Sequence, residues 1–196
     1  MTKVMKAAMV AALVMVSAAA SAQLSVNAGY VNTKGTNDGS KGANGITAGI
    51  GYDMNIQGGV GMAWGLDYTY GWNSVTAVGI KTTTVGHFLD IPVRLTYTYP
   101  VADNFKVFGF AGPKFVYQIA ATQKTDDAKA VNLFDINPDA KRFDIKAGLG
   151  AGVNISNFLV KVGYDWGLLD MSQKVEGIPH TAVRMNQFYV TVGYAF

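Results

Sequence analysis

The sequence predicts an all-β protein, an eight-stranded antiparallel up-and-down transmembrane β-barrel, and three observations carry that prediction. Apolar and lean residues alternate with period two along eight segments, and no stretch beyond residue 22 sustains an apolar period of 3.6. The connections between those segments alternate between short and long. Gly is abundant at 23, aromatics reach 12%, Pro stands at 5 and Cys at 0, a mixture that suits crowded sheet backbones better than helices, where Gly is costly.

The first residues stand apart from the rest. Lys3 and Lys6 precede an apolar run from Ala7 to Val16, and Ala20-Ser21-Ala22 makes a small-x-small site, the pattern of a cleaved secretory signal peptide. The run is too short to span a bilayer. Cleavage after Ala22 leaves residues 23–196 as one outer-membrane β-barrel domain. Lys3 and Lys6 carry two of the formal +3 charges, so the mature chain is nearly neutral and nucleic acid is not an expected partner. An exported chain without cysteine draws its stability from packing and backbone hydrogen bonding.

Strand one, 24–33, sets Leu24, Val26, Ala28 and Tyr30 against Ser25, Asn27 and Gly29, and a polar loop follows over 34–43. Strand two, 44–54, alternates Ile46, Ala48, Ile50 and Tyr52 with glycines and Thr47. Strand three, 59–72, is the clearest: Val60, Met62, Trp64, Leu66, Tyr68, Tyr70 and Trp72 share one face. A loop is expected over 73–83, and strand four then runs to Tyr99 with Leu89, Ile91, Val93 and Leu95 opposite Asp90, Pro92, Arg94 and Thr96.

Strand five, 105–120, breaks the pattern, because Phe108 and Phe110 fall on one parity and Phe115, Tyr117 and Ile119 on the other. A bulge at Gly112-Pro113 reconciles them, since a bulge inserts one residue and flips all that follows. The alternative is an unbulged strand whose Phe108 and Phe110 plug the interior. A polar loop spans 121–142, strand six begins at Phe143, strand seven covers 158–169 after a turn at Ser156-Asn157, and the last strand ends in Phe188, Val190, Val192, Tyr194 and Phe196 on one face.

Short turns on one side and longer loops on the other are the habit of membrane barrels. A soluble lipocalin-like barrel would place the bulky set inside, but an eight-stranded bore holds only modest side chains. The bulky set therefore faces lipid, where a Lys or Arg at mid-depth costs about 2–4 kcal/mol, and none falls there in these registers. Aromatics near the strand ends form two interfacial girdles.

The segments Leu89-Asp-Ile-Pro-Val-Arg-Leu-Thr-Tyr97, Val107-Phe-Gly-Phe-Ala-Gly-Pro113 and Val192-Gly-Tyr-Ala-Phe196 resemble the small outer-membrane β-barrel domain family, OmpX-like in size and PorT-like in pattern. The resemblance covers the whole mature chain. It implies the outer membrane of a Gram-negative bacterium, and a role among adhesins, assembly or secretion accessories. It also implies that Tyr194 and Phe196 form a terminal signal read by barrel-assembly machinery.

The lean face carries Asp67, Asp90, Arg94, Lys114, Asp144, Lys146, Lys161 and Asp165. Charges in a closed bore must be paired, so these are expected to form a polar network, with Arg94 near Asp90 and Lys161 near Asp144 or Lys146. Chemistry is thinly supported. His87 and His180 have no Cys for a zinc site, Ser74 with His87 and a loop Asp is the only candidate nucleophile arrangement, and Asp126, Asp127, Asp135 and Asp139 lack the spacing of a calcium loop. Gly35, Gly39 and Gly42 lack the strand-to-helix setting of a phosphate loop. Val131, Leu133, Phe134 and Ile136 in the loop 121–142 offer a surface contact.

The expectation is a monomeric, non-enzymatic barrel without cofactor or metal, filled in its lumen and acting as a structural or surface-interaction protein through its outer loops. Its partners would be outer-membrane lipid, the assembly machinery and a surface partner at 121–142. A narrow channel or carrier for small or apolar molecules, and an accessory to secretion or assembly of surface proteins, are the alternatives.

Overall fold

In the computed structural model, residues 22–77, 79–126, 128–138, 140–172 and 181–196 are described. The expected signal peptide, apart from Ala22, and with it His180, Asp127 and Asp139, lies outside them. The elements are β1 (Ala22–Gly35), β2 (Ala43–Gln57), β3 (Val60–Ala77), β4 (Ile80–Ala102), β5 (Phe105–Thr125), a two-residue β6 (Val131–Asn132), the short α1 (Leu133–Ile136), β7 (Phe143–Ile155), β8 (Phe158–Gly167) and β9 (Met185–Ala195). Eight long strands form a ring in the order β4-β3-β2-β1-β9-β8-β7-β5, and β5 pairs back to β4. All these pairings are antiparallel. Closure gives every strand two neighbours, which a membrane demands because it holds no water for unpaired N–H and C=O groups.

The closing seam joins β1 to β9 from Ser25↔Ala195 up to Gly35↔Met185. Below it, Phe196 N donates to Leu24 O at 2.9 Å and Ala195 N to Asn157 O at 2.8 Å, so the β7–β8 turn and the seam lock together at one rim. The other tight turns, Gly58-Gly59 and Asp103-Asn104, fall on the same side, and both glycines of the first take positive φ. Such φ values suit Gly because it has no Cβ to clash.

Side-chain polarity is inverted relative to a soluble protein. Leu95 and Phe158 expose 61% and 62% of their surface, whereas Asp165 exposes 0%. Bulk faces out and charge faces in, as the alternation requires.

Two expectations about the strands are corrected. No bulge occurs at Gly112-Pro113: β5 pairs with β7 without a break from Phe105↔Ile155 to Tyr117↔Phe143. Gly112 and Pro113 merely interrupt the ladder toward β4, whose register is the same at Pro92↔Lys114 and Leu95↔Ala111. Proline has no N–H to give, and Gly112 adopts φ +151 with Val93 O only 2.4 Å from where a Cβ would sit. The inserted residue lies higher, at Ile119, where the partner of β4 steps from Ala120 to Gln118. Phe108 and Phe110 consequently point into the bore, as in the unbulged alternative.

Nor is 73–83 a loop. β3 and β4 stay paired from Val60↔Tyr97 to Ala77↔Ile80, and β4 with β5 up to Thr82↔Thr125. The run of β-branched residues Val75, Thr76, Thr82, Thr83 and Thr84 favours strand. At about 3.3 Å per residue and a tilt near 45°, the 23 residues of β4 rise roughly 50 Å, well beyond a hydrocarbon layer of about 30 Å. The three strands therefore project from the outer rim as a small sheet.

Candidate functional site: a closed lumen below an outer vestibule

All eight charged residues expected on the lean face do lie on it, and the bore brings most of them together. Arg94 on β4 reaches across to β8, where Nη2 donates to Asp165 Oδ1 at 2.6 Å, and its Nη1 donates to Gly112 O. Lys114 on β5 places Nζ 2.5 Å from Asp165 Oδ2 and donates to Gln187 Oε1 on β9. One carboxylate thus holds two cations from two strands. Lys146 pairs with Asp144 at 3.5 Å and donates to Met185 O at 2.5 Å.

The expected pairings are partly corrected. Arg94 meets Asp165 rather than Asp90, because a long side chain in a narrow bore reaches the far wall more easily than a short carboxylate on its own strand. Lys161 is not beside Asp144 or Lys146: it stands opposite Gly152, while Lys146 stands opposite Gly167 nearer the outer end. Among the described residues Lys161 makes no ion pair within 4 Å. Asp67 accepts from Asn27 Nδ2 at 3.2 Å, and Asp90 Oδ2 accepts from the Thr69 hydroxyl at 2.9 Å.

Rings seal the space beneath the ions. Phe110 stacks on Tyr189 with centroids 6.5 Å apart and meets Phe108 in a tilted pair at 6.3 Å, and Lys114 Nζ lies 5.0 Å from the Tyr189 ring centre. The facing strands are bare where the rings need room. A Cβ on Gly163 would meet the Tyr189 hydroxyl at 2.4 Å, and one on Gly152 would meet Phe108 Cζ at 2.5 Å.

Two cavities lie in the bore, and Val31 and Asp90 line both. On the short-turn side a small cavity of about 90 Å³ remains around Asn27, Asp67 and Lys161. On the loop side a vestibule of about 600 Å³ opens above Asp90, Asp144 and Lys146. Tyr189, Gln187, Thr69 and Asn27 were not singled out from the sequence although all four occupy the lean parity. The signal used was charge, and neutral partners of buried charges carry no such mark.

The nucleophile arrangement does not assemble. Ser74 faces Thr83 across the ladder, with hydroxyls 2.9 Å apart, while His87 lies four residue pairs lower beside Tyr70 and accepts or donates to Tyr68 Oη at 2.5 Å. Of the loop carboxylates, Asp126 Oδ1 accepts from Lys81 N at 2.9 Å and Asp135 Oδ1 from Asn132 Nδ2 at 3.3 Å. Among the described residues no group of three or more His, Cys, Asp or Glu converges. In the same loop Phe134 packs inward under the Arg142 guanidinium, 3.8 Å from its ring centre, leaving Val131 and Ile136 exposed. At the short-turn rim Tyr194 stacks edge-on with Phe158 and Phe196 at 5.3 and 5.2 Å.

No individual curated protein matches the sequence. Among solved structures, the chain is similar to Ail, the attachment invasion locus protein of Yersinia pestis in complex with the heparin analogue sucrose octasulfate, at 14% identity over 90% of this chain and 99% of that one, with a TM-score of 0.48. It is also similar to the outer membrane enzyme PagL, at 13% identity over 86% and 98% with a TM-score of 0.49. Neisserial surface protein A follows at 16% identity over 88% and 97%, with a TM-score of 0.45. The profile of the outer membrane protein β-barrel domain matches residues 7–196, nearly the full length. The inverted polarity, the closed ring and that match agree: the chain belongs to the outer membrane protein β-barrel domain family and sits in the outer membrane of Gram-negative bacteria.

Proposed function

We propose that this barrel is a monomeric, non-enzymatic surface-interaction protein, anchored by a closed bore and binding through its projecting sheet. One observation carries the reading. The β3–β4–β5 extension rises past the rim, and on β3 the pairing with β2 ends at Asn44↔Trp72. Asn73 Nδ2 still ties back to Lys41 O and Gly42 O. From Ser74 to Ala77 the edge of β3 away from β4 has no ladder partner among the described residues. An open edge on exposed strands is a template for an extended segment of another polypeptide. The opposite edge is blunted, since β5 pairs there with β6 at Thr122↔Asn132 and Gln123↔Val131, and the exposed Val131 and Ile136 flank it. The ion cluster with its rings supports the closed-bore part, because Arg94, Asp165, Lys114, Phe110 and Tyr189 occupy the middle of the bore.

A photoreactive side chain placed at Val75 in intact cells tests the edge, with Phe158 at the other rim as control. Adducts to a second polypeptide at Val75 and none at Phe158 are the expected result. Absence of any adduct at Val75 and at Ile136, or stepwise conductance from the wild-type barrel in planar bilayers, overturns it.

A further inference from the structure

The outer vestibule ends on a floor whose acids are not fully used. Asp90, Val116 and Asp144 form one row across β4, β5 and β7, so two carboxylates look into the same end of the bore from either side of an apolar spacer. Each is 3% exposed. Thr69 holds one oxygen of Asp90, while Asp90 Oδ1 and both oxygens of Asp144 have no hydrogen-bond partner among the described residues. Lys146 stands off at 3.5 Å from Asp144 Oδ2 and donates a shorter bond of 2.5 Å to Met185 O. The next cations down, Lys114 and Arg94, are already taken by Asp165. The floor therefore keeps two buried carboxylate oxygens, Asp90 Oδ1 and Asp144 Oδ1, with neither a hydrogen-bond donor nor an ion-pair partner among the described residues. Such atoms are costly when left unsatisfied.

The walls above are of a different kind. Val31, Phe88, Val116, Met171, Val183 and Met185 line the vestibule together with polar residues and three further cations, Lys41, Lys141 beside Asp170 and Arg142 over Phe134, and at about 600 Å³ it falls within the usual size of a small-molecule site. Met adds adaptable, polarizable contact. The Arg94–Asp165–Lys114 cluster crosses the bore beneath that floor.

We infer that the vestibule is a binding site for a small organic cation, an ammonium group on a compact apolar body, with the ammonium donating to Asp144 and Asp90 and the body against Phe88, Met171 and Met185. An anion of the same size supplies no donor to those oxygens, and a neutral alcohol supplies one where the floor has two acceptors. The vestibule shares Asn73, Val75, Thr82 and Thr84 with the base of the projecting sheet, but its floor acids lie below that sheet, so lost ligand shifts in Asp144→Asn and lost adducts at Val75 are separate outcomes.

The experiment is methyl NMR of the ¹³C-methionine-labelled barrel in lipid nanodiscs, titrated with butylammonium chloride, and in parallel with sodium butyrate, n-butanol and sodium chloride. Saturable shifts of the Met171 and Met185 methyls with butylammonium alone are expected, weakened at least tenfold in Asp144→Asn. Asp90→Asn, which keeps Lys146 paired, supplies a second arm, and the heat-modifiable gel migration of each variant reports that the barrel is folded. Equal shifts with butyrate or butanol, shifts with sodium chloride alone, no saturation, or unchanged affinity in both folded variants overturns the inference.

Discussion

Arg94 and Asp165 lie 71 positions apart in the chain and 2.6 Å apart in the bore, and with Lys114 at 2.5 Å they form the lock that closes the barrel. Removing the shared acid leaves two cations buried without a counter-charge. Asp165→Ala should therefore destabilise the barrel by about 3–5 kcal/mol, read as a lower urea midpoint for refolding into lipid vesicles. Replacing the set together, Arg94→Met with Lys114→Met and Asp165→Leu, should recover most of that loss, since a buried ion cluster stabilises little over well-packed apolar groups.

The same lock predicts electrical silence. Wild-type protein in planar bilayers should show no stepwise conductance. Arg94→Ala combined with Lys114→Ala and Phe110→Ala removes the ions and the ring beneath them, joining the two cavities, and should produce discrete steps.

Gly163 and Tyr189 are coupled by contact. The three atoms nearest a Cβ on Gly163 all belong to the Tyr189 side chain, so Gly163→Ala should destabilise by about 1–3 kcal/mol through overpacking. In a Tyr189→Ala background the substitution should be close to neutral, and a double-mutant cycle by urea titration measures the difference.

Depth on the outer face has its own signature. Leu149 sits midway along β7 facing Tyr164, and Leu149→Arg should cost about 2–4 kcal/mol. Phe158→Arg at the short-turn rim should cost about 0–1 kcal/mol for the charge, in vesicle refolding titrations run side by side.

If Tyr194 and Phe196 are read by assembly machinery, their effect belongs to cells rather than to the finished barrel. Phe196→Ala should lower the heat-modifiable, outer-membrane fraction in cells several-fold. Refolding of the purified variant into vesicles should stay near wild type, because Phe196 is 68% exposed and its backbone bond to Leu24 does not need the ring. Equal loss in both assays would assign the residue to stability alone.

Much of this architecture is legible before folding. Val60 to Trp72 on β3 and Phe158 to Trp166 on β8 sort by parity into outward bulk and inward lean residues, and in a strand parity alone sets the face. The turn at Ser156-Asn157 is equally plain. The extension of β3 and β4 past residue 72 was not, because its threonines and serine look like loop when read by polarity, and a strand in water needs no apolar face. β5 misled for a related reason: Phe108 and Phe110 look outward to a rule that expects bulk to meet lipid, yet Gly150 and Gly152 on β7 and Gly163 on β8 make room for rings inside.

The alternation therefore carried the strand number, the facing of nearly every residue and the membrane as solvent, since each follows from covalent geometry and local hydrophobicity along one strand. What meets across the bore was settled by closure alone. Which acid holds Arg94, which oxygens of Asp90 and Asp144 stay unpaired and how much vestibule remains depend on the register between strands and the diameter of the ring, and those quantities relate residues that share no local sequence.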